Sequence, residues 1–300
     1  MVRDGSGMGW LGRTILLVAI VVVFWGAVYP SVLAPNVPAP YVAPFAEKND
    51  YVEVDYRGWF PSTGKTFDTS IRAVANDNAT YPKAPSFSYR PGAGSYRPLP
   101  FIIGCVSNAT NQGCPIPAFQ DAVKGLHAGE AHVVYIPPEK AYGLSDATKI
   151  HIRPLLEEVT ATETMNSTQF QAQFGTSPVD GSIVTDPAWG WTSTVRVAGA
   201  VVTVRAAPTL NKIVRIAGEW NAEVVWIDDA ANQGLGVVRV RHHLLAADVD
   251  AFVATDRTGN FIIVALDAAA GTFTVDYNNA VVGKTLAFEL TVTTLRKAKP

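Results

Sequence analysis

Charged side chains are scarce in this 300-residue chain, 17% of the total, and neither sign dominates: 24 basic against 26 acidic groups leave a net charge of −2. A general nucleic-acid binder needs a basic face to displace counterions from phosphate, so nucleic acid is excluded as a partner. No glycine-rich phosphate loop is present. Histidine is limited to five residues. The adjacent pair His242-His243 falls on an expected strand, where successive side chains point to opposite faces, which argues against a shared metal. No metal or cofactor is therefore expected. Asp228-Asp229 reads as a solvated turn and Glu157-Glu158 as surface charge. What remains is an apolar content of 48%, a packed-core composition in a chain long enough for about two domains.

One segment is apolar without interruption. Thr14 to Tyr29 carries no charge, and the character continues to Leu33. A helix of about 20 residues crosses the hydrocarbon core of a bilayer. Arg3 and Arg13 precede the run, and Glu47 and Lys48 are the first charges after it. The positive-inside bias then leaves residues 1–13 as a cytoplasmic tail, 14–33 as a transmembrane helix and the rest outside the cell. The expected location is thus the cell membrane, single-pass, with the N-terminus cytoplasmic and the folded part extracytoplasmic. A cleaved signal peptide is the competing reading, with Val32-Leu33-Ala34 as the cleavage site. Pro35 just beyond it is unfavourable, and the run exceeds a signal core. Either way the rest of the chain is exported.

Export bears on the only two cysteines, Cys105 and Cys114. Close together and in an oxidising compartment, such a pair is expected to form a disulfide. Three glycosylation triplets begin at Asn78, Asn108 and Asn166, and matter only in a cell that glycosylates exported chains.

Residues 34–48 are proline-rich, a stiff extended spacer. Val52, Val54 and Tyr56 then alternate with acidic residues, as in a half-buried strand. Residues 73–98 lack any period and read as a long surface loop. Between Ile116 and Glu130, Phe119, Ala122, Val123 and Leu126 share one helical face behind Pro117, and Gly125 and Gly129 end the helix. His132–Ile136 is a short strand. Leu286, Phe288, Leu290 and Val292 form another alternating strand. From Leu144 to about Ala270 the chain is a series of short β-patterned runs, among them Val195–Val204, with one helix-like piece at Ser167–Phe174.

Five stretches in order resemble the FKBP-type peptidyl-prolyl isomerase family. They are Tyr56-Arg57-Gly58 with Gly64-Lys65-Thr66-Phe67-Asp68; Phe101-Ile102-Ile103-Gly104; Ile116-Pro117-Ala118-Phe119 with Gly125-Leu126; Ile136-Pro137-Pro138 with Ala141-Tyr142-Gly143; and Gly283-Lys284-Thr285-Leu286-Ala287-Phe288. The gap after Gly143 is similar to that of SlyD-type and archaeal long forms, which carry a domain inserted in the flap. The resemblance implies an α+β fold: an FKBP-like antiparallel sheet wrapped on a short helix, from 49–145 plus 271–297, with a mainly-β insert-in-flap domain at 146–270. The histidine-rich tail of some SlyD-type members is absent.

The resemblance also implies peptidyl-prolyl cis-trans isomerase activity. Rotation about an X-Pro bond faces a barrier of roughly 18–20 kcal/mol set by amide resonance, and no bond breaks. A dry apolar slot that favours the twisted imide is enough. Matched to the family's motifs, the slot is Tyr56, Phe67, Asp68, Phe101, Ile116, Phe119, Tyr142 and Phe288. Phe119, where many members have Trp, is the floor. Tyr56, Phe67, Phe101 and Phe288 are walls, the Ile116 amide and the Tyr142 hydroxyl bond substrate carbonyls, and Asp68 is a buried acceptor that orders neighbouring groups and polarises the bound carbonyl region. Leu99 stands where many members place an aromatic. The implied partners are unfolded or proline-containing polypeptides, the membrane through the N-terminal helix, and macrolide-type ligands in the slot. The insert is expected to act as a chaperone. The alternative is a non-catalytic, membrane-tethered holdase or scaffold that keeps the fold for binding.

Overall fold

A computed structural model of the protein describes residues 43–107 and 113–299. The expected tail 1–13, the transmembrane helix 14–33, most of the 34–48 linker and the Asn108 triplet lie outside the described residues. No described helix is long and apolar enough to cross a membrane. The chain divides into two compact units, Met1–Pro44 and Phe45–Pro300, and the second holds all the described secondary structure.

Strand β1 (Tyr51–Trp59) forms because every second side chain can be buried: Val52, Val54, Tyr56 and Gly58 point inward while their neighbours are half-covered. It is followed by β2 (Thr66–Thr69), helix α1 (Arg72–Asn76), β3 (Leu99–Ile102), helix α2 (Pro117–Val123) and β4 (Ala131–Ile136). Proline in the first turn suits α2 because its missing N–H would have no helical partner, and Gly125, at φ +85°, turns the chain away beyond its end. Phe119 and Val123 on α2 are buried against Val52, Val54, Phe101, Leu290 and Val292.

The chain then leaves this layer and builds three further antiparallel sheets. Their strands are β5 (Ile150–Pro154), β6 (Leu156–Thr160), β7 (Thr162–Met165), β8 (Ile183–Thr185), β9 (Thr192–Ala198), β10 (Val201–Ala206), β11 (Ile213–Ile216), β12 (Trp220–Asp228), β13 (Val237–His242), β14 (Ala254–Thr255), β15 (Asn260–Asp267) and β16 (Thr272–Asp276). They pair in the orders β7-β10-β9-β8, β11-β12-β13-β6 and β14-β15-β16-β5. Trp220, Val240, Phe261 and Phe273 share one core between the last two sheets, while Phe170 of helix α3 (Ser167–Phe174) buries with Val195, Val202 and Val204. The chain re-enters the first layer as β17 (Leu286–Arg296), which lies between β1 and β4 in the order β2-β1-β17-β4, with β3 on β1. The result is mostly β with few helices, compatible with the FKBP-like sheet expected.

Departure and return are fastened to each other. The Gly283 N–H donates to the Gly143 carbonyl at 2.9 Å, and the Asn278 side chain donates to Ser145 Oγ and the Asp146 carbonyl while accepting from the Asp146 N–H. Gly283 sits at φ +73°, where a Cβ would fall 2.8 Å from that of Ser145. Only glycine fits there.

Three local readings change. Val195–Val204 is two strands turned at Gly199, not one run. The 73–98 stretch opens with a helical turn and is pinned by Lys83, whose ammonium donates to the carbonyls of Val74, Asp77 and Tyr81. Glu157 is not surface charge: its carboxylate accepts from Arg153 and lies 3.0 Å from His242 Nε2, whose Nδ1 accepts from the Trp220 indole. His242 and His243 do face opposite ways, one buried and one exposed.

The C-terminal end of β17 is held by Asp50, 1% exposed. Its carboxylate accepts from Lys297 Nζ at 2.7 Å and from the N–H groups of Ala298 and Glu47. Burial alone would raise its pKa, but these donors outweigh burial and hold it below the ordinary carboxylate value. A depressed folded-state pKa gives stability that is present above the unfolded value near ~4 and is lost as pH falls through the folded one. Asp50→Asn is therefore expected to destabilise the protein by about 1–3 kcal/mol at pH 7 and to flatten its loss of stability below about pH 4, as read by urea unfolding across pH. An unchanged acid limb would exclude this pair as its source.

Candidate functional site

Five aromatic side chains from separate stretches of the chain meet above α2. Phe119, on the helix and 3% exposed, lies edge-on to Tyr56 at 5.9 Å, to Phe101 at 6.1 Å and to Phe288 at 5.2 Å between ring centroids. Phe288 in turn meets Phe67 at 5.6 Å. Edge-to-face contacts set the positive rim of one ring on the negative face of the next, adding about 0.5–1.5 kcal/mol per pair beyond burial. The sheet's alternation supplies the convergence: Gly58 on β1 lies opposite Asp68 on β2 and Phe288 on β17. A Cβ on Gly58 would come within 2.6 Å of the Phe67 ring and 2.9 Å of the Phe288 ring, so glycine there makes room for both.

The mouth of this cluster is polar. The Tyr56 hydroxyl donates to Asp68 Oδ2 at 2.6 Å. Arg90 Nη2 donates both to that hydroxyl, at 2.9 Å, and to Asp68 Oδ1, at 2.7 Å. Burial first, then the charge and hydrogen bond of Asp68, push the Tyr56 phenol well above the ordinary tyrosine range. It is a neutral donor at every physiological pH.

The structure thus brings together Tyr56, Phe67, Asp68, Phe101, Phe119 and Phe288, but Asp68 is not the buried acceptor expected: its side chain is 42% exposed at the mouth, where Arg90 and Tyr56 bond it. Ile116 packs half-buried against the same cluster at the start of α2. Its amide has no hydrogen-bond partner among the described residues. Tyr142 stands apart: it is 52% exposed and makes no ring contact with the others among the described residues. Burial first, then the Asp68 charge, raise its pKa above the ordinary tyrosine value. Leu99 packs at the edge of the cluster. Cys105 and Cys114 are joined as a disulfide with Cα atoms 5.9 Å apart. The bridge closes the segment between β3 and α2.

Sequence reasoning missed Arg90. It lies in the stretch without periodicity, 22 residues from Asp68, and no local pattern marks it. The signal available was the lone carboxylate of Asp68 in an apolar surround, which calls for a cation from elsewhere in the chain.

No family model matches the chain. Among curated proteins it is similar to a prolyl isomerase. That relative is the short-type peptidyl-prolyl cis-trans isomerase of Methanocaldococcus jannaschii, 40% identical over 108 residues. The match covers 36% of this chain and 57% of the relative's length.

Asp68→Asn keeps the shape of the mouth and removes the charge. The Tyr56 phenol is then expected to titrate at lower pH than in the native protein, as read from its ring carbon chemical shift. An unchanged or higher midpoint would show that Asp68 does not set the phenol's state.

Proposed function

We propose that the chain is an FKBP-type peptidyl-prolyl cis-trans isomerase of the long form, acting on X-Pro bonds of exported or surface proteins. The observation that carries this reading is the ring cluster floored by Phe119 and rimmed by Tyr56, Asp68 and Arg90. The 40% identity to a prolyl isomerase supports it. A planar X-Pro imide is strongly polar at its carbonyl, and the twisted form is less so. Seated among aromatic rings and stripped of water, the planar form loses more solvation than the twisted one. A preference of about 3–4 kcal/mol for the twisted form gives roughly 10²–10³-fold acceleration. Ile116 offers an amide that has no partner among the described residues, and Tyr142 a hydroxyl kept protonated, to the carbonyls flanking the proline. Asp68, held by Tyr56 and Arg90, keeps the rim polar and fixed. Macrolide-type ligands that mimic the proline segment fit the same slot.

The domain reading is part of this proposal: an isomerase domain from 49–145 and 271–297, an insert at 146–270 that holds unfolded clients beside the slot, and an anchor at 14–33 that leaves the folded part outside the cell. Tethering of this kind raises the local concentration of client at the slot.

The full chain is expected to speed cis-trans exchange in a proline tetrapeptide. The Asp68→Ala, Phe119→Ala double variant is expected to lose at least about tenfold in kcat/KM, some 1.4 kcal/mol, while remaining folded by circular dichroism. Full activity in that variant would move the site elsewhere. For the anchor, the chain is expected to stay with the membrane fraction through an alkaline wash and to be trimmed by protease added to intact cells. Release by the wash would remove the transmembrane reading.

A further inference from the structure

Two clefts lie beside the ring cluster, where the first sheet faces the β14–β16 layer. One, of about 430 Å³, is lined by Phe60, Lys65, Pro85, Asp250, Ile262 and Lys284. The other, of about 700 Å³, is lined by Phe67, Pro85, Lys149, Ile262, Tyr277 and Val281. Pro85, Ser86, Ile262 and Ala280 border both, so the two are adjacent and together form one channel-like surface.

The channel also adjoins the proposed slot. Phe67 touches Phe288 within the ring cluster and lines the channel on its other side, and its neighbour Phe60, 5.0 Å away, lines the channel's far part. Val281 packs on the cluster and borders the channel. A polypeptide with its proline over Phe119 has this opening as its next surface.

The channel carries an excess of positive charge. Lys65, Lys149 and Lys284 line it against the single carboxylate of Asp250. Lys65 spends one donor on the Asp250 backbone carbonyl, at 2.9 Å, and Lys284 lies 4.9 Å over the Phe60 ring. None of the three lysines has a carboxylate within salt-bridge distance among the described residues. Lys65 and Lys284 therefore keep ammonium donors for an incoming anion next to apolar walls from Phe60, Ile262 and Val264, while Lys149, in the adjoining cleft, also acts on Asp146.

We propose that this channel is an extended subsite that takes the client segment flanking the proline and selects for acidic side chains a few residues away from it. The inference rests on the isomerase reading for the position of the proline, but its charge preference stands on the lysines alone. Longer chains place more flanking residues along the channel than a tetrapeptide does, so selection is expected to act mainly on them. Charge pairing at such a half-open site is screened by salt, so the preference weakens as ionic strength rises.

The test uses the full chain, its Lys65→Glu, Lys284→Glu double variant and the Lys284→Glu single variant. The probes are a proline tetrapeptide and two fluorescent twelve-residue peptides, identical but for flanking Glu or Lys residues. The native chain is expected to bind the Glu-flanked peptide about tenfold more tightly than the Lys-flanked one at low salt, and less so at high salt. The double variant is expected to reverse that order, the single variant to shrink it, and both to leave tetrapeptide turnover unchanged. Equal affinity of the native chain for the two long peptides, or a preference untouched by both variants, overturns the subsite. Absence of tetrapeptide turnover in the native chain overturns the isomerase reading instead, and leaves the binding comparison to decide the subsite.

Discussion

Everything at the candidate site depends on where β17 lies. It is the inner strand between β1 and β4, and it reaches that place only after the chain has left the first layer and returned. Its pairing with β1 runs from Tyr51 opposite Arg296 to Trp59 opposite Ala287. A slip of one residue would carry Phe288 to the solvent face and strip the cluster of its central ring. The register therefore has to be set at both ends. Leu286 opposite Ile136 and the Gly143–Gly283 hydrogen bond fix one end, and Asp50 with Lys297 fixes the other. Closing so long a loop costs entropy, but that cost rises only with the logarithm of length, so a large insert burdens the pairing less than its size suggests.

With β17 in place, the polar rim and the dry floor support one another. Asp68 stands at the rim of the rings with its side chain 42% exposed. Tyr56 and Arg90 both donate to Asp68, and Tyr56 stays protonated through its burial first and the Asp68 charge and hydrogen bond second. The three bonds close a triangle, so removal of any one member leaves the other two paired with each other but each short of one bond. Single substitutions in the rim are therefore coupled, as members of one network.

The core sheet and its helix were legible because their signals are local. Val52, Val54 and Tyr56 alternate, and Phe119 and Val123 fall on one helical face behind Pro117. The resemblance of the five ordered stretches named most of the rings. What could not be read were interactions joining distant residues without periodicity. Arg90 sits in a run of Pro, Gly and Ser yet completes the rim. Glu157 reads as one of two adjacent surface acids, but β6 pairs with β13 and carries it to His242. The β9–β10 hairpin was hidden because valines continue through both strands and only Gly199 marks the turn. Tyr142 lies in a matched motif but stands open to solvent, and no local pattern marks that exposure.

The insert's interior extends the same logic to a larger scale. The Trp220 indole donates to His242 Nδ1, so the other ring nitrogen carries the proton and faces Glu157. Glu157 accepts from Arg153, and Arg153 lies 3.7 Å from Asp256, which accepts from the Tyr277 hydroxyl. Burial and that bond to Asp256 raise the Tyr277 phenol to about 12. The chain of donors and acceptors runs from β12 to the residue before Asn278, the side chain that fastens departure to return. Buried polar chains of this kind add little net stability compared with apolar packing, but they penalise every arrangement in which a member is unpaired. Here the penalty falls on any displacement of β16 against β6 and β13, and so on any displacement of the point where the chain re-enters the first sheet. An insert built from side-by-side antiparallel sheets could drift in register without such a constraint. With it, the end of β16 is tied to β6 and β13, directly before the segment through which the chain re-enters the first sheet.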